Sequence, residues 1–101
     1  VIGVRTVQLR RYKVAPGRME EWLAEWRDRV RPLREAHGFK VLGAWAVEDS
    51  SEFVWVIAYD GEGTFAEADA AYYGSPERAA LDPDPARHLE EVRSDLVREV
   101  G

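Results

Sequence analysis

Read for alternating apolar and polar positions, the chain divides into four strands and two helical regions. Val4 to Val14 follows a period of two, with Val7 and Leu9 pointing one way and Thr6, Gln8, Arg10 and Tyr12 the other. Ala15-Pro16-Gly17 interrupts this strand. Met19, Trp22, Leu23, Trp26, Val30 and Leu33 then fall on one stripe at the helical repeat, which predicts a helix from Arg18 to about His37. Pro32 should kink that helix or end its regular part, and Gly38 supplies a left-handed stop. Glu25–Arg29 and Arg31–Glu35 are spaced as i,i+4 ion pairs on the polar side. Thr64 and Glu67 form a capping box for a short helix through Tyr73. Ser75-Pro76-Glu77 opens a helical turn reaching Leu81, and Asp84-Pro85 opens another through about Glu90. Val92 to Val100 reads as the last strand, with Val92, Leu96 and Val100 on one side.

Phe39 to Tyr59 is a strand–turn–strand that is apolar on both faces. A turn at Asp49-Ser50-Ser51 sets Val47 opposite Phe53, Trp45 opposite Trp55, Gly43 opposite Ile57 and Val41 opposite Tyr59. The element order, strand–helix–strand–strand–helix–strand, is that of an α+β ferredoxin-like βαββαβ fold with a four-stranded antiparallel sheet. Its helices cover one side of the sheet only. An apolar second side must also be covered, which predicts a homodimer packed sheet against sheet, a barrel across two copies.

Composition limits what such a domain can do. Its 101 residues suit a single domain spanning 1–101, and 46% hydrophobic with 33% charged residues is the balance of a globular chain. No apolar run approaches the ~20 residues of a spanning helix, and no basic-then-apolar leader is present, so the expectation is a cytoplasmic protein without a membrane partner. The absence of cysteine excludes disulfides, thiolate nucleophiles and thiolate-bound zinc or iron–sulfur clusters. A net charge of −5 argues against a nucleic-acid partner, whose phosphates require clustered positive charge. Arginine far outnumbers lysine, and alanine is abundant, a composition that suggests a GC-rich bacterial genome.

Leu9-Arg10-Arg11-Tyr12-Lys13-Val14-Ala15-Pro16-Gly17 resembles the opening of NIPSNAP-like domains, a branch of the dimeric α+β barrel superfamily. Pro32, Gly38, Leu42-Gly43-Ala44-Trp45, Phe53-Val54-Trp55 and Tyr73-Gly74-Ser75-Pro76-Glu77-Arg78 continue the likeness over nearly the whole chain. Glu52 departs from it, standing where asparagine is frequent. The resemblance implies a homodimeric barrel with a ligand cavity between each sheet and its helices. Superfamily members include cofactor-free monooxygenases, polyketide cyclases, lactone isomerases and haem-degrading enzymes, whose working residues differ from branch to branch. It therefore carries no catalytic signature.

The candidates for chemistry come from the residues themselves. Asp69 lies one turn from Phe65, Tyr72 and Tyr73, an aromatic setting that would raise a carboxyl pKa toward that of a general base; the alternative is an ion pair or a hydrogen bond of structural purpose. Tyr73 and Tyr72 could orient a carbonyl or phenol, or serve as core residues with their hydroxyls at the rim. His88 is one of only two imidazoles and could move a proton or, less simply, ligate haem; His37 at a helix end suits capping. Arg10, beside Tyr12, could hold a carboxylate or enolate, or pair with Asp95 or Glu99 across the sheet, while Arg78 suits a loop anchor. Trp45 and Trp55 would floor an aromatic cavity or centre the dimer interface. The two histidines give no metal signature. The reading is thus a binder of a small aromatic or polyketide-like molecule, either a cofactor-independent enzyme of cyclase, isomerase or monooxygenase type or a non-catalytic metabolite-binding or assembly module.

Overall fold

The structure, a computed structural model, describes residues 5–100. Its elements run β1 (Thr6–Val14), α1 (Met19–Glu25), a π-helical turn Trp26–Val30, α2 (Arg31–Ala36), β2 (Phe39–Val47), β3 (Glu52–Tyr59), α3 (Phe65–Tyr73), α4 (Pro76–Ala79), a 3₁₀ turn Pro85–His88 and β4 (Leu89–Val97). The sheet order is β2-β3-β1-β4 with every neighbouring pair antiparallel, the ferredoxin-like arrangement expected from the element order. Val4, the expected first residue of β1, lies outside the described residues. β4 begins at Leu89 and ends at Val97, so the turn after Asp84 is shorter than the sequence pattern implied and Val100 lies beyond the strand.

Pro32 acts upstream of itself. Its ring displaces the carbonyl four residues earlier, and the helix accommodates it by widening: the Arg31 amide donates to the Trp26 carbonyl across the π turn. In a regular α-helix, positions four apart drift by about 40° per step. The wider turn limits that drift, and Trp22, Trp26, Val30 and Arg34 are all buried. Glu25 does not pair with Arg29 as its spacing suggested; it reaches Arg87 and His88 instead. Arg31–Glu35 does form, at 3.5 Å.

The hairpin differs from its expected register, and the difference exchanges its faces. Val47 pairs with Glu52, Trp45 with Val54 and Ala44 with Trp55; past a bulge at Leu42, Val41 pairs with Ile57. Trp45 is therefore not opposite Trp55. The 3₁₀ turn Glu48–Ser50 and left-handed Ser51 (φ 56°) close the loop one residue tighter than expected, and a one-residue slip moves every side chain to the other side of the sheet. Trp55 is 1% exposed beneath the helices, whereas Trp45 is 57% exposed on the outer face, its indole laid over Gly43.

The core lies between α1, α2 and α3 and the inner face of the sheet. Tyr12, Trp22, Trp26, Phe53 and Trp55 meet mostly edge to face, with ring centroids 5.1–6.3 Å apart. Phe65 and Tyr72 of α3 close it over Phe39. Both expected caps of this region are present: Thr64 and Glu67 form the reciprocal capping box, and Ser75 accepts from the Arg78 amide. Among the described residues no helix packs on the outer face, where Leu9, Val54, Val56 and Trp45 share the surface with Arg11, Arg93 and Asp95.

Candidate functional site

Four elements bring polar side chains together at the inner face. β1 alternates, so Gln8, Arg10 and Tyr12 all point toward the helices. Arg34 comes from the buried row of α2, and Asp69 and Tyr73, four residues apart, come from one side of α3. Arg10, 5% exposed, is held by neutral acceptors: Nε donates to the Tyr12 hydroxyl at 2.7 Å, Nη1 to Gln8 Oε1 at 2.7 Å, and Nη2 to the Tyr73 hydroxyl at 2.9 Å. Arg34, 1% exposed, donates from Nη1 to Asp69 Oδ1 at 2.7 Å, and Arg10 Nη1 lies 3.9 Å from the same oxygen. The Arg34 guanidinium also stacks 3.9 Å from the Tyr72 ring centroid and 4.7 Å from that of Phe39.

Electrostatics follow from this geometry. Burial pushes the Tyr12 and Tyr72 phenols up from their ordinary values, against the pull of Arg10 on the first and Arg34 on the second. Burial alone would lower Arg10, but the oxygens of Tyr12 and Tyr73, with Asp69, outweigh it and raise its pKa. Because an arginine only donates, Gln8 must turn its oxygen to Arg10, which leaves the amide hydrogens for another partner. Tyr73 and Tyr12 accept from Arg10 in the same way, so each keeps its own hydrogen to give elsewhere.

Two recesses flank this cluster. An open groove of about 520 Å³ runs between α3 and strands β1 and β4, lined among others by Thr6, Gln8, Phe65, Asp69, Ala70 and Leu96. It has the size of a small-molecule site. A smaller cavity of about 70 Å³ lies beneath the helices, among Trp22, Arg34, Trp55 and Tyr72. The groove offers a ring system room; the smaller cavity does not.

The sequence-predicted site residues divide between three places. Arg10, Tyr12, Asp69, Tyr72, Tyr73 and Trp55 converge. Arg10 faces Ser94 rather than Asp95, which is on the outer face, and Glu99 pairs with Arg5, so neither expected acid partners it. Asp69 sits on a guanidinium, not in the purely aromatic patch the helix pattern suggested. Trp45 stands on the opposite side of the sheet, away from the cluster. His88 belongs to a second group: it is 3% exposed, with Nε2 3.0 Å from Glu25 Oε2, an arrangement that gives no support to haem ligation. Arg87 reaches the same carboxylate at 2.8 Å, and its hydrogen bonds, followed by that of His88, hold Glu25 below the usual carboxylate range against partial burial. Arg78 anchors its loop through Asp84 at 2.9 Å. The sequence reading missed Arg34 and Gln8. Arg34 left a signal, as a charged residue at the fourth step of the row Trp22, Trp26, Val30; Gln8 left none beyond sharing a strand face with Arg10 and Tyr12.

Fold and site together define a ferredoxin-like α+β domain with an arginine-rich pocket under its helices. The NIPSNAP family model matches residues 7–101, and the chain belongs to that family. Its fold is similar to that of a NIPSNAP domain protein from Burkholderia xenovorans (21% identity, TM-score 0.80, 94% of each chain covered). It is likewise similar to a NIPSNAP family protein from Agrobacterium tumefaciens (16% identity, TM-score 0.83, covering 96% of this chain and 94% of that one). A putative antibiotic biosynthesis monooxygenase from Nitrosomonas europaea shares the fold at 17% identity and TM-score 0.67, with 97% of this chain and 92% of that one covered. No curated protein matches the chain. Among the described residues no helix is long and apolar enough to cross a membrane.

Proposed function

We propose that this protein is a homodimer that binds a small, largely apolar molecule in the groove between α3 and the β1/β4 side of the sheet. The observation that carries this reading is the use of two buried arginines to fix Gln8 and Asp69 at the groove wall. Gln8 presents amide hydrogens, and Asp69 has one oxygen, Oδ2, without a hydrogen bond among the described residues. A donor beside an acceptor, with Phe65 and Leu96 nearby, suits a neutral aromatic or polyketide-like body bearing a carbonyl and a hydroxyl. The outer face supports the dimer. Its Leu9, Val54 and Val56 are half-buried and Trp45 is exposed, an apolar patch that a second copy would cover.

The test uses 1-naphthol and 1-tetralone as probes. Each should shift the NMR signals of the Gln8 side-chain amide and the Leu96 methyls, and Leu96→Trp, which fills the groove from a 71% exposed position, should abolish both shifts. Shifts that map elsewhere, or that survive Leu96→Trp, would refute the groove. Sedimentation of a folded monomer at low micromolar concentration would refute the dimer.

A second reading adds turnover without a cofactor. Asp69 takes a proton next to a bound carbonyl, and the Gln8 amide, turned by Arg10, donates a hydrogen bond to the carbonyl oxygen as charge develops there. What favours it is the shared fold of the monooxygenase-titled neighbour, a likeness of fold alone. Deuterium exchange at C2 of 1-tetralone, lost in Asp69→Asn, is the measurement that separates turnover from binding.

A further inference from the structure

Among the described residues Trp22 Nε1, Trp55 Nε1, Arg34 Nε and the Tyr72 hydroxyl are buried without a well-formed hydrogen bond, Trp55 Nε1 having the Tyr12 hydroxyl as its neighbour, and all four side chains line the 70 Å³ cavity. Trp26 Nε1, the fifth such atom, belongs to a residue outside that lining. Three of the four can only donate, and the fourth can donate as readily as accept. Leaving such atoms unpaired costs about 1–3 kcal/mol each, so four around one small space call for a common acceptor. Water fits poorly, because each molecule brings two hydrogens of its own and these side chains offer only the Tyr72 oxygen to receive them. An acceptor-only species has no such difficulty.

Charge points the same way. Arg34 and Arg78 both line the cavity and Arg10 adjoins it through Tyr12 and Tyr73, while the acids that partner them are Asp69 and Asp84. One positive charge is left over. The volume is less than half of the about 150 Å³ that a cavity holding benzene offers, room for a carboxylate group or a small planar anion and not for a ring.

We propose that this cavity is a receptor for one carboxylate, held by Arg34 and Tyr72 with the indole N–H groups of Trp22 and Trp55. It stands apart from the groove, since neither Gln8 nor Leu96 lines it, and holds whether or not the groove is a ligand site.

The experiment titrates the intact protein with sodium formate and, separately, sodium hexanoate, at ionic strength held constant with sodium sulfate, reading tryptophan emission and thermal midpoint. Saturable binding of formate is expected. Hexanoate binding more than tenfold tighter marks the site as the end-group pocket of a longer acid, and equal or weaker hexanoate binding marks it as a pocket for a free small anion. Tyr72→Phe should weaken formate about tenfold while leaving the formate-free midpoint unchanged or raised, because it removes only an unpartnered hydroxyl. A purely structural Tyr72 would give the same midpoint with no change in formate affinity, and that result overturns the proposal. A linear, unsaturable response to formate overturns it as well. Arg34→Lys should weaken formate in the same direction; should that variant fail to fold, the Tyr72→Phe comparison decides alone.

Discussion

Arg34 and Asp69 should be coupled far more strongly than a surface ion pair, and the coupling can be sized from their surroundings. Arg34 is 1% exposed, its Nη1 is 2.7 Å from Asp69 Oδ1, and Arg10 stands 3.9 Å from that same oxygen. Asp69→Asn therefore leaves two buried guanidiniums with no acid between them. Breaking a buried pair costs about 3–5 kcal/mol; the Asp69 side chain is 27% exposed, and Asn keeps one acceptor, which together bring the expected loss to about 2–3 kcal/mol. For a chain of this length that lowers the thermal midpoint by roughly 10–20 °C. Arg34→Met should cost about as much, because it strands Asp69 and removes the stack on Tyr72.

The double variant decides the matter. With both charges gone, most of the penalty for an unpaired charge disappears, so Arg34→Met/Asp69→Asn should be less destabilised than the sum of the singles by about 1.5–3 kcal/mol. Urea unfolding followed by circular dichroism, at one fixed protein concentration so that any dimer contributes equally, gives all four corners of the cycle. Losses that add to within about 0.5 kcal/mol would mean the two residues act independently. The polar cluster would then be incidental to the core.

Three further outcomes test other parts of the structure. Trp45→Ser should leave the monomer folded, since Trp45 is 57% exposed, yet weaken self-association by about thirtyfold if the indole is a hot spot worth ~2 kcal/mol; unchanged sedimentation would remove Trp45 from any interface. Gly43→Ala builds a methyl whose nearest neighbour would be Trp45 Cη2 at 2.6 Å, so the indole must swing away, altering its near-ultraviolet signal with about 1 kcal/mol or less of stability lost; an unaltered signal would contradict the stacking. Glu25→Gln should flatten the acid limb of stability: a carboxyl held below its unfolded value, here by Arg87 and then His88, stabilises the fold above that unfolded value of about 4.3 and loses the contribution as pH falls through the folded one. Equal acid limbs in the parent and Glu25→Gln would refute the pairing.

What the sequence revealed and what it concealed have physical causes. The stripe on the first helix, the capping box at Thr64 and the break at Ala15-Pro16-Gly17 depend on local spacing, and each appears where the pattern put it. The hairpin register depends on phase, and this hairpin has none to read: Val41, Trp45 and Val47 alternate with Leu42, Ala44 and Ala46, all apolar. Turn geometry then decides, through left-handed Ser51 and the bulge at Leu42. Hence the pairing of Trp45 with Trp55 was the natural reading and is not the one adopted. Arg10 was legible as a face-sharing neighbour of Tyr12. Its partner Tyr73, 63 residues away, was legible only as an aromatic on a short helix.

The same cluster bears on whether this interior was built for stability alone. Apolar side chains of similar volume at Arg10 and Arg34 would serve a packed core as well or better, since buried ion pairs seldom repay their desolvation. Instead the chain keeps two guanidiniums under its helices, sets one against three neutral oxygens with Asp69 3.9 Å away and the other directly against that carboxylate, and places near the second donors that, among the described residues, have no partner. Neutral acceptors leave a positive charge uncancelled, and unpaired donors add to the demand for an acceptor rather than answering it. A core assembled only to be stable would relieve both demands with apolar residues or a second acid; the proposed carboxylate would relieve them from outside.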